Sequence, residues 1–133
     1  MDCLVDSTFL IDFWRERRRG RPAVRYVEAH ANATIGVPWV VKGEFLSGAR
    51  YAFHDTIEIN NFLSPFPTIH STEAPINRYA PIFCQLKTRN QMIGLHDIWI
   101  RATALELDCP LLSRNKIHFS KIPDLKLVDY TPF

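Results

Sequence analysis

Three acids stand where the surrounding hydrophobic pattern offers no ordinary place for a charge. Asp6 lies inside LVDSTFLIDF (4–13), Glu44 inside VVKGEFLSGA (40–49), and Asp97 near the start of HDIWIRATALELD (96–108). An unpaired carboxylate in apolar surroundings costs several kcal/mol or is neutralised by a shift of its pKa, so each acid needs a partner. If the three come together within ~4 Å, they repel by roughly 4 kcal/mol per pair at an effective dielectric of about 20, and such a cluster calls for a cation. Oxygen-only donors favour a hard ion, Mg²⁺ or Mn²⁺, over Zn²⁺. The histidines, at 30, 54, 70, 96 and 118, form no pair at ligand spacing. His96, beside Asp97, is the one expected near the site, at the surface or behind the acids rather than as a ligand.

Each acid also has a purely structural use. Asp6 suits the cap of a following helix. Asp97 is satisfied by the helix macrodipole and by Arg101 one turn later, and Glu44 by snorkelling toward solvent or by pairing with Lys42 or Arg50. Asp12 follows Asp6 by six residues, a rotation of roughly 240° on a helix, and is expected to face solvent.

The elements that must position these residues alternate between two periods. DCLVD (2–6) reads as a buried strand, followed by a helix through Phe9, Leu10, Phe13 and Trp14 with Ser7 and Thr8 as cap types. The run RERRRGRP (15–22) closes that helix with cations, and Pro22 opens a second through Val24, Val27 and Ala31. ATIGVP (33–38) is a second strand, leading into a helix with Val40, Val41, Phe45, Leu46 and Ala49 apolar. A helix over 53–64, a strand over 66–70, and a helix over 73–88 interrupted by Pro81 follow. Residues 96–108 form the clearest helix, with Cys109 extending it; PLLS (110–113) is a strand, 115–123 a turn, and LKLVDY (125–130) a closing strand. This order argues an α/β sandwich with a mostly parallel sheet of about five strands, whose ligands bind beyond the strands' C-terminal ends. Asp6 and Asn115 fall at or after such ends, Glu44 on the helix after the second strand, and Asp97 on the helix before the fourth.

Composition sets the limits. A chain of 133 residues with 47% hydrophobic content is enough for one domain with a sizeable core, and no linker divides it. A net charge of +2, from 16 basic and 14 acidic residues, predicts no nucleic-acid binding by itself. Cys3, Cys84 and Cys109 are odd in number and unpaired in spacing, which fits reduced thiols packed in a core. No apolar run reaches a membrane span and no basic segment precedes one at the N-terminus, so a soluble, cytoplasmic protein is expected.

The motifs LVDSTFLID, VVKGEFLSGA and GLHDIWIRATALELDCPLLSRNKIHFSKIPDLKLVDY together resemble the PIN-domain ribonucleases, especially the VapC-type toxins, in the right order and over nearly the whole chain. The resemblance implies a single PIN-like domain over 1–133, a three-layer α/β/α sandwich. It makes Asp6, Glu44 and Asp97 the metal-binding acids and places Asn115 where many members carry a fourth Asp. Ser113 falls where Thr is common, and Ser7-Thr8 where Thr followed by Asn or Ser is usual. Asn115 keeps an oxygen but loses a charge, which argues for one tightly held ion, any second arriving with substrate phosphate.

The implied chemistry is Mg²⁺- or Mn²⁺-dependent endonucleolytic hydrolysis of RNA by the toxin of a toxin–antitoxin pair, a homodimer silenced by a small antitoxin protein. Arg114, Lys116 and Lys121 are candidate phosphate contacts or a solvated basic turn. The arginines at 15, 17, 18, 19 and 21 are a solvated helix end by default, an RNA-steering or acidic-partner surface otherwise. Phe13, Trp14, Trp39, Phe45 and Trp99 suit a core or dimer interface, with Trp39 or Trp99 able to line a groove. Two other readings stand beside this one: a PIN-fold RNA-binding or interaction protein with weakened catalysis, and a metal-independent α/β protein whose acids are caps and salt bridges.

Overall fold

The computed structural model describes residues 1–70, 73–114, 122 and 124–133. Asn115, Lys116 and Lys121 lie outside the described residues. Among those described, the chain runs β1 (Cys3–Val5), α1 (Ser7–Glu16), α2 (Pro22–Ala29), β2 (Ile35–Pro38), α3 (Trp39–Tyr51), α4 (Thr56–Leu63) and β3 (Thr68–Ile69). It continues with α5 (Glu73–Thr88), α6 (Leu95–Leu107), β4 (Leu111–Leu112) and β5 (Leu127–Val128). No helix among these residues is long and apolar enough to cross a membrane.

All pairings are parallel, in the order β3-β2-β1-β4-β5, with Leu4 opposite both Gly36 and Leu111. Parallel strands need crossover connections, and helices over a sheet bury its faces. That is why β1 has no polar side: Leu4 and Val5 are fully buried. After β1 the chain builds outward through β2 and β3, then returns to the other side of β1 for β4. The reversal opens a crevice beyond the C-terminal ends of β1 and β4, the place where open parallel sheets bind ligands. Asp6 follows β1 and Ser113 follows β4 directly.

Local chemistry moves several element ends away from the periodic pattern. Ser7 and Thr8 lie inside α1; the cap is Asp6, in extended conformation, accepting from the Phe9 N–H at 3.1 Å. α2 stops at Ala29, short of Ala31, because His30 leaves helical geometry and closes on the Tyr26 carbonyl through its backbone and its Nδ1. α4 starts at Thr56 rather than 53, where Asp55 accepts from the N–H groups of Ile57 and Glu58. Cys109 does not extend α6: Asp108 turns left-handed at φ 48° and Pro110 follows, which ends the helix at Leu107. α5, by contrast, runs through Pro81.

The main core joins β1, β2 and β4 to Phe9, Leu10, Trp14, Val41, Phe45 and Ile100. A second cluster joins α5 to α6 through Ile82, Leu86, Ile98 and Ala102. α6 serves both, with Ile100 and Ala104 turned to one cluster and Ile98 and Ala102 to the other. Full burial of each large apolar side chain is worth about 1.5–3 kcal/mol. Cys3 and Cys109 belong to this interior, whereas Cys84 is exposed, contrary to the expectation that all three pack in the core. On α5, residue 84 follows Phe83 and precedes Gln85, on a face turned away from Ile82 and Leu86.

β2 leads into the helix carrying Glu44, and Gly36 fixes how closely it approaches β1. A Cβ at residue 36 would lie 3.0 Å from both Leu4 Cδ2 and Ile69 Cγ1 and 2.7 Å from Met1 Sδ. The methionine tip has room to give; the two core side chains do not. Gly36→Val is therefore expected to destabilise the fold by about 1–3 kcal/mol through overpacking, measured by urea denaturation, whereas an unchanged midpoint would show that the sheet has slack there.

Candidate active site

Asp6 sits at the floor of the crevice, 7% exposed. Its Oδ1 accepts from the Phe9 N–H and from Thr8 Oγ1 at 2.6 Å, and its Oδ2 from the buried Ser113 hydroxyl. Burial pushes the Asp6 carboxyl above its ordinary pKa, and the hydrogen bonds from Ser113, Thr8 and Phe9, with the charge of Arg101, pull against that rise. The capping role and a place at the sheet's edge are thus one arrangement, since a cap at this strand end points its oxygens at the crevice.

Glu44 and Asp97 meet at a second level, nearer solvent. They border a common cavity of about 320 Å³ with Gly94, Leu95 and His96. Ser7 Oγ donates to Glu44 Oε2 at 2.9 Å, which ties α3 to the start of α1, and His96 Nδ1 lies 3.0 Å from Glu44 Oε1. Glu44 therefore pairs with neither Lys42, which donates to Thr68, nor Arg50. His96 is exposed and stands behind the acid, as its position beside Asp97 suggested.

Asp97 in the first turn of α6 does engage Arg101. The guanidinium Nη1 donates to the Asp97 carbonyl at 2.7 Å and lies 3.6 Å from its Oδ1. Arg101 is 2% exposed, and burial lowers its pKa while Asp97 and Asp6 raise it. A buried cation without opposite charge nearby is strongly unfavourable, so the acids and Arg101 depend on one another.

Asp12 does not face solvent. Its Oδ2 accepts from the fully buried Tyr130 hydroxyl at 2.6 Å, and its Oδ1 lies 3.1 Å from Arg114 Nη1. Burial and the Asp12 carboxylate push the Tyr130 hydroxyl's pKa up, so it stays a donor. A rotation of roughly 240° from Asp6 suggested a solvent-facing residue, but Tyr130, just after β5, and Arg114 engage its carboxylate. Arg114, half-exposed, is thereby held next to Ser113. In the basic run, Arg17 stacks on Trp14 at 3.5 Å and pairs with Glu58 at 3.0 Å, while Arg18, Arg19 and Arg21 are exposed.

The donors are of the type a hard divalent ion takes: the carboxylates of Asp6, Glu44 and Asp97 with the hydroxyls of Ser7, Thr8 and Ser113 and no thiol, while the His96 imidazole lies against Glu44 Oε1. The three acids are not gathered on one point. Among the described residues no group of three His, Cys, Asp or Glu side chains is close enough to hold an ion together. Glu44 and Asp97 share a cavity, and Asp6 is turned to its own hydroxyl donors. Sequence reasoning missed the Tyr130–Asp12–Arg114 chain, since no spacing rule joins partners 118 positions apart.

A family model described as PIN domain matches residues 3–125. Ribonuclease VapC1 of Methanocaldococcus jannaschii is 29% identical over 127 residues, covering 96% of this chain and 85% of that protein. The VapBC2 structure from Rickettsia felis, bound to a DNA fragment from their promoter, superposes with a TM-score of 0.87 at 20% identity, covering 96% of this chain and 98% of that one. A toxin-antitoxin complex from Klebsiella pneumoniae gives 0.78 at 25% identity, covering 97% and 98%.

The raised pKa of Asp6 fixes a sign. The folded state binds a proton more tightly than the unfolded chain, so this group's stabilisation is complete below about pH 4 and is lost as pH rises through its folded value. In metal-free protein, Asp6→Asn is expected to raise the melting temperature at pH 7 and to give no gain near pH 4. Equal shifts at both pH values, or a loss at pH 7, would contradict the burial of a charged Asp6.

Proposed function

The chain belongs to the PIN domain family, and on that premise we propose that it is a Mg²⁺- or Mn²⁺-dependent endoribonuclease, the toxin of a toxin–antitoxin pair. The observation that carries this reading is the cavity shared by Glu44 and Asp97, with Glu44 tied through Ser7 to the start of α1, next to the buried Asp6 at the switch point of the sheet. Relatives named as ribonucleases support the reaction, and likeness to a toxin-antitoxin complex supports the partner.

In this reading Glu44 and Asp97 hold the ion, with Asp6 acting from below. When bound, the ion supplies positive charge against the phosphate and lowers the pKa of water at the site. The protein's own groups do the rest. Ser7 and His96 fix the Glu44 carboxylate; Ser113 and Thr8 hold Asp6 in one rotamer; Arg114, braced by Asp12, reaches a phosphate oxygen of the substrate. Asn115 stands next in the chain as the fourth, uncharged oxygen donor. We propose that the domain works as a cytoplasmic homodimer restrained by a small antitoxin protein.

A second reading, RNA binding without turnover, draws support from the separate partners that Asp6, Glu44 and Asp97 each hold. Incubation of purified protein with structured RNA separates the two. Cleavage is expected with Mn²⁺ or Mg²⁺ and none in EDTA, and Glu44→Gln and Asp97→Asn should each slow it at least about 100-fold. Binding without cleavage at any Mn²⁺ concentration would favour the second reading.

A further inference from the structure

A larger cavity, of about 520 Å³, adjoins the acid site between the start of α3 and the first turns of α6. Its lining includes Trp39, Gly43, Glu44, Ser47, His96 and Trp99, and Glu44 and His96 also border the smaller cavity with Asp97. The two cavities share these residues, so the space walled by the two tryptophans lies directly beside a phosphate held at Glu44 and Asp97.

The walls are suited to a flat aromatic guest. Trp39, the first residue of α3, is 45% exposed although it is among the most apolar surfaces a side chain can offer. Trp99 is held in place from behind, its ring 4.6 Å from Tyr79 and inclined by 39°. Gly43 contributes a stretch of floor without a side chain, and a Cβ there would meet no atom within 4 Å, so a larger residue would project into open space. Glycine in a helix interior costs about 0.5–1 kcal/mol relative to alanine, so helix stability does not account for it. Polar groups stand only along the edge. Ser47 spends its proton on the Gly43 carbonyl at 2.7 Å, leaving its oxygen as an acceptor beside the Glu44 carboxylate. The volume lies within the roughly 300–1,000 Å³ range of small-ligand sites.

We propose that this cavity is a nucleobase subsite that receives one unpaired base of the RNA, next to the phosphate held at Glu44 and Asp97. The proposal rests on the ribonuclease reading and deepens it. A base in a duplex is stacked and paired, so a site of this kind selects single-stranded segments, where aromatic side chains stack on bases and polar edges meet their hydrogen-bonding groups. Continuity with the acid site favours a base of the substrate, because the two cavities share Glu44 and His96 and a unit next to a phosphate at the acids lies beside this space; a side chain of a restraining partner seated there would compete with it.

The test uses the intact protein and a labelled pool of random single-stranded RNA octamers, in Ca²⁺ for binding by anisotropy and in Mn²⁺ for cleavage. Trp39→Ala and Gly43→Leu, the latter filling the cavity from its floor, are expected to weaken binding roughly 5- to 150-fold. Trp39→Phe should retain most of the affinity, and a pool with abasic units should bind wild type and Trp39→Ala equally weakly. Circular dichroism and sedimentation accompany each variant. Unchanged binding and cleavage in Trp39→Ala and Gly43→Leu would overturn the base pocket while leaving the ribonuclease reading in place. Abasic RNA binding as tightly as intact RNA, or losses that follow a change in oligomeric state, would overturn it as well, the last pointing to a second copy of the chain as occupant. Wild-type protein that cleaves structured RNA but neither binds nor cleaves the pool would overturn the base pocket alone, and failure on both substrates would overturn both readings.

Discussion

The structure turns on a carboxyl group that the sheet forces below the surface. β1 is the central strand, buried on both faces, and the chain must leave it at Asp6 to enter α1. A carboxylate at that point needs donors. The Phe9 N–H, Thr8, Ser113 and the nearby Arg101 charge provide them, from α1, the end of β4 and α6. Meeting the needs of one acid thus ties three parts of the chain to the crevice, and the burial that remains uncompensated raises its pKa.

The same constraint organises charge at the mouth of the crevice. Arg101 is buried under Asp97 and within electrostatic reach of Asp6, so the acids are partly balanced from within the fold. Under the proposed reading, three carboxylates offset by one guanidinium are matched by one divalent ion better than by two, in line with an amide rather than a fourth carboxylate at Asn115. Glu44 and Asp97 are the more exposed acids, Glu44 held by Ser7 and His96 and Asp97 by Arg101, whereas Asp6 is buried and gripped at both oxygens.

Much of this was legible from the chain. The alternation of strand and helix periods led to a parallel sheet, and the topology then brought Asp6, Glu44 and Asp97 to one edge. The PIN resemblance agrees with the family model over residues 3–125. What failed were statements about solvent and about ends. Asp12 was expected to face solvent, but a helical wheel does not know that Tyr130 and Arg114 will engage it. Cys109 fitted the apolar face of α6, yet the left-handed Asp108 and Pro110 closed the helix before it. Cys84 met the composition rule for a buried thiol and is exposed, because helix phase decides burial one residue at a time. The Trp-lined cavity was legible as Trp39 or Trp99 able to line a groove; that Gly43 and Ser47 border it as well was not, since neither residue type marks a cavity in sequence.

The central claim is that Glu44 and Asp97, above Asp6, form one divalent-cation site. Titration calorimetry of Mn²⁺ into metal-free protein addresses it without requiring the RNA to be known. The expected result is saturable binding of one ion per chain, lost when Glu44→Gln and Asp97→Asn are combined in a variant that still melts cooperatively. Unchanged Mn²⁺ binding in that variant, or no binding to the wild type, would contradict it.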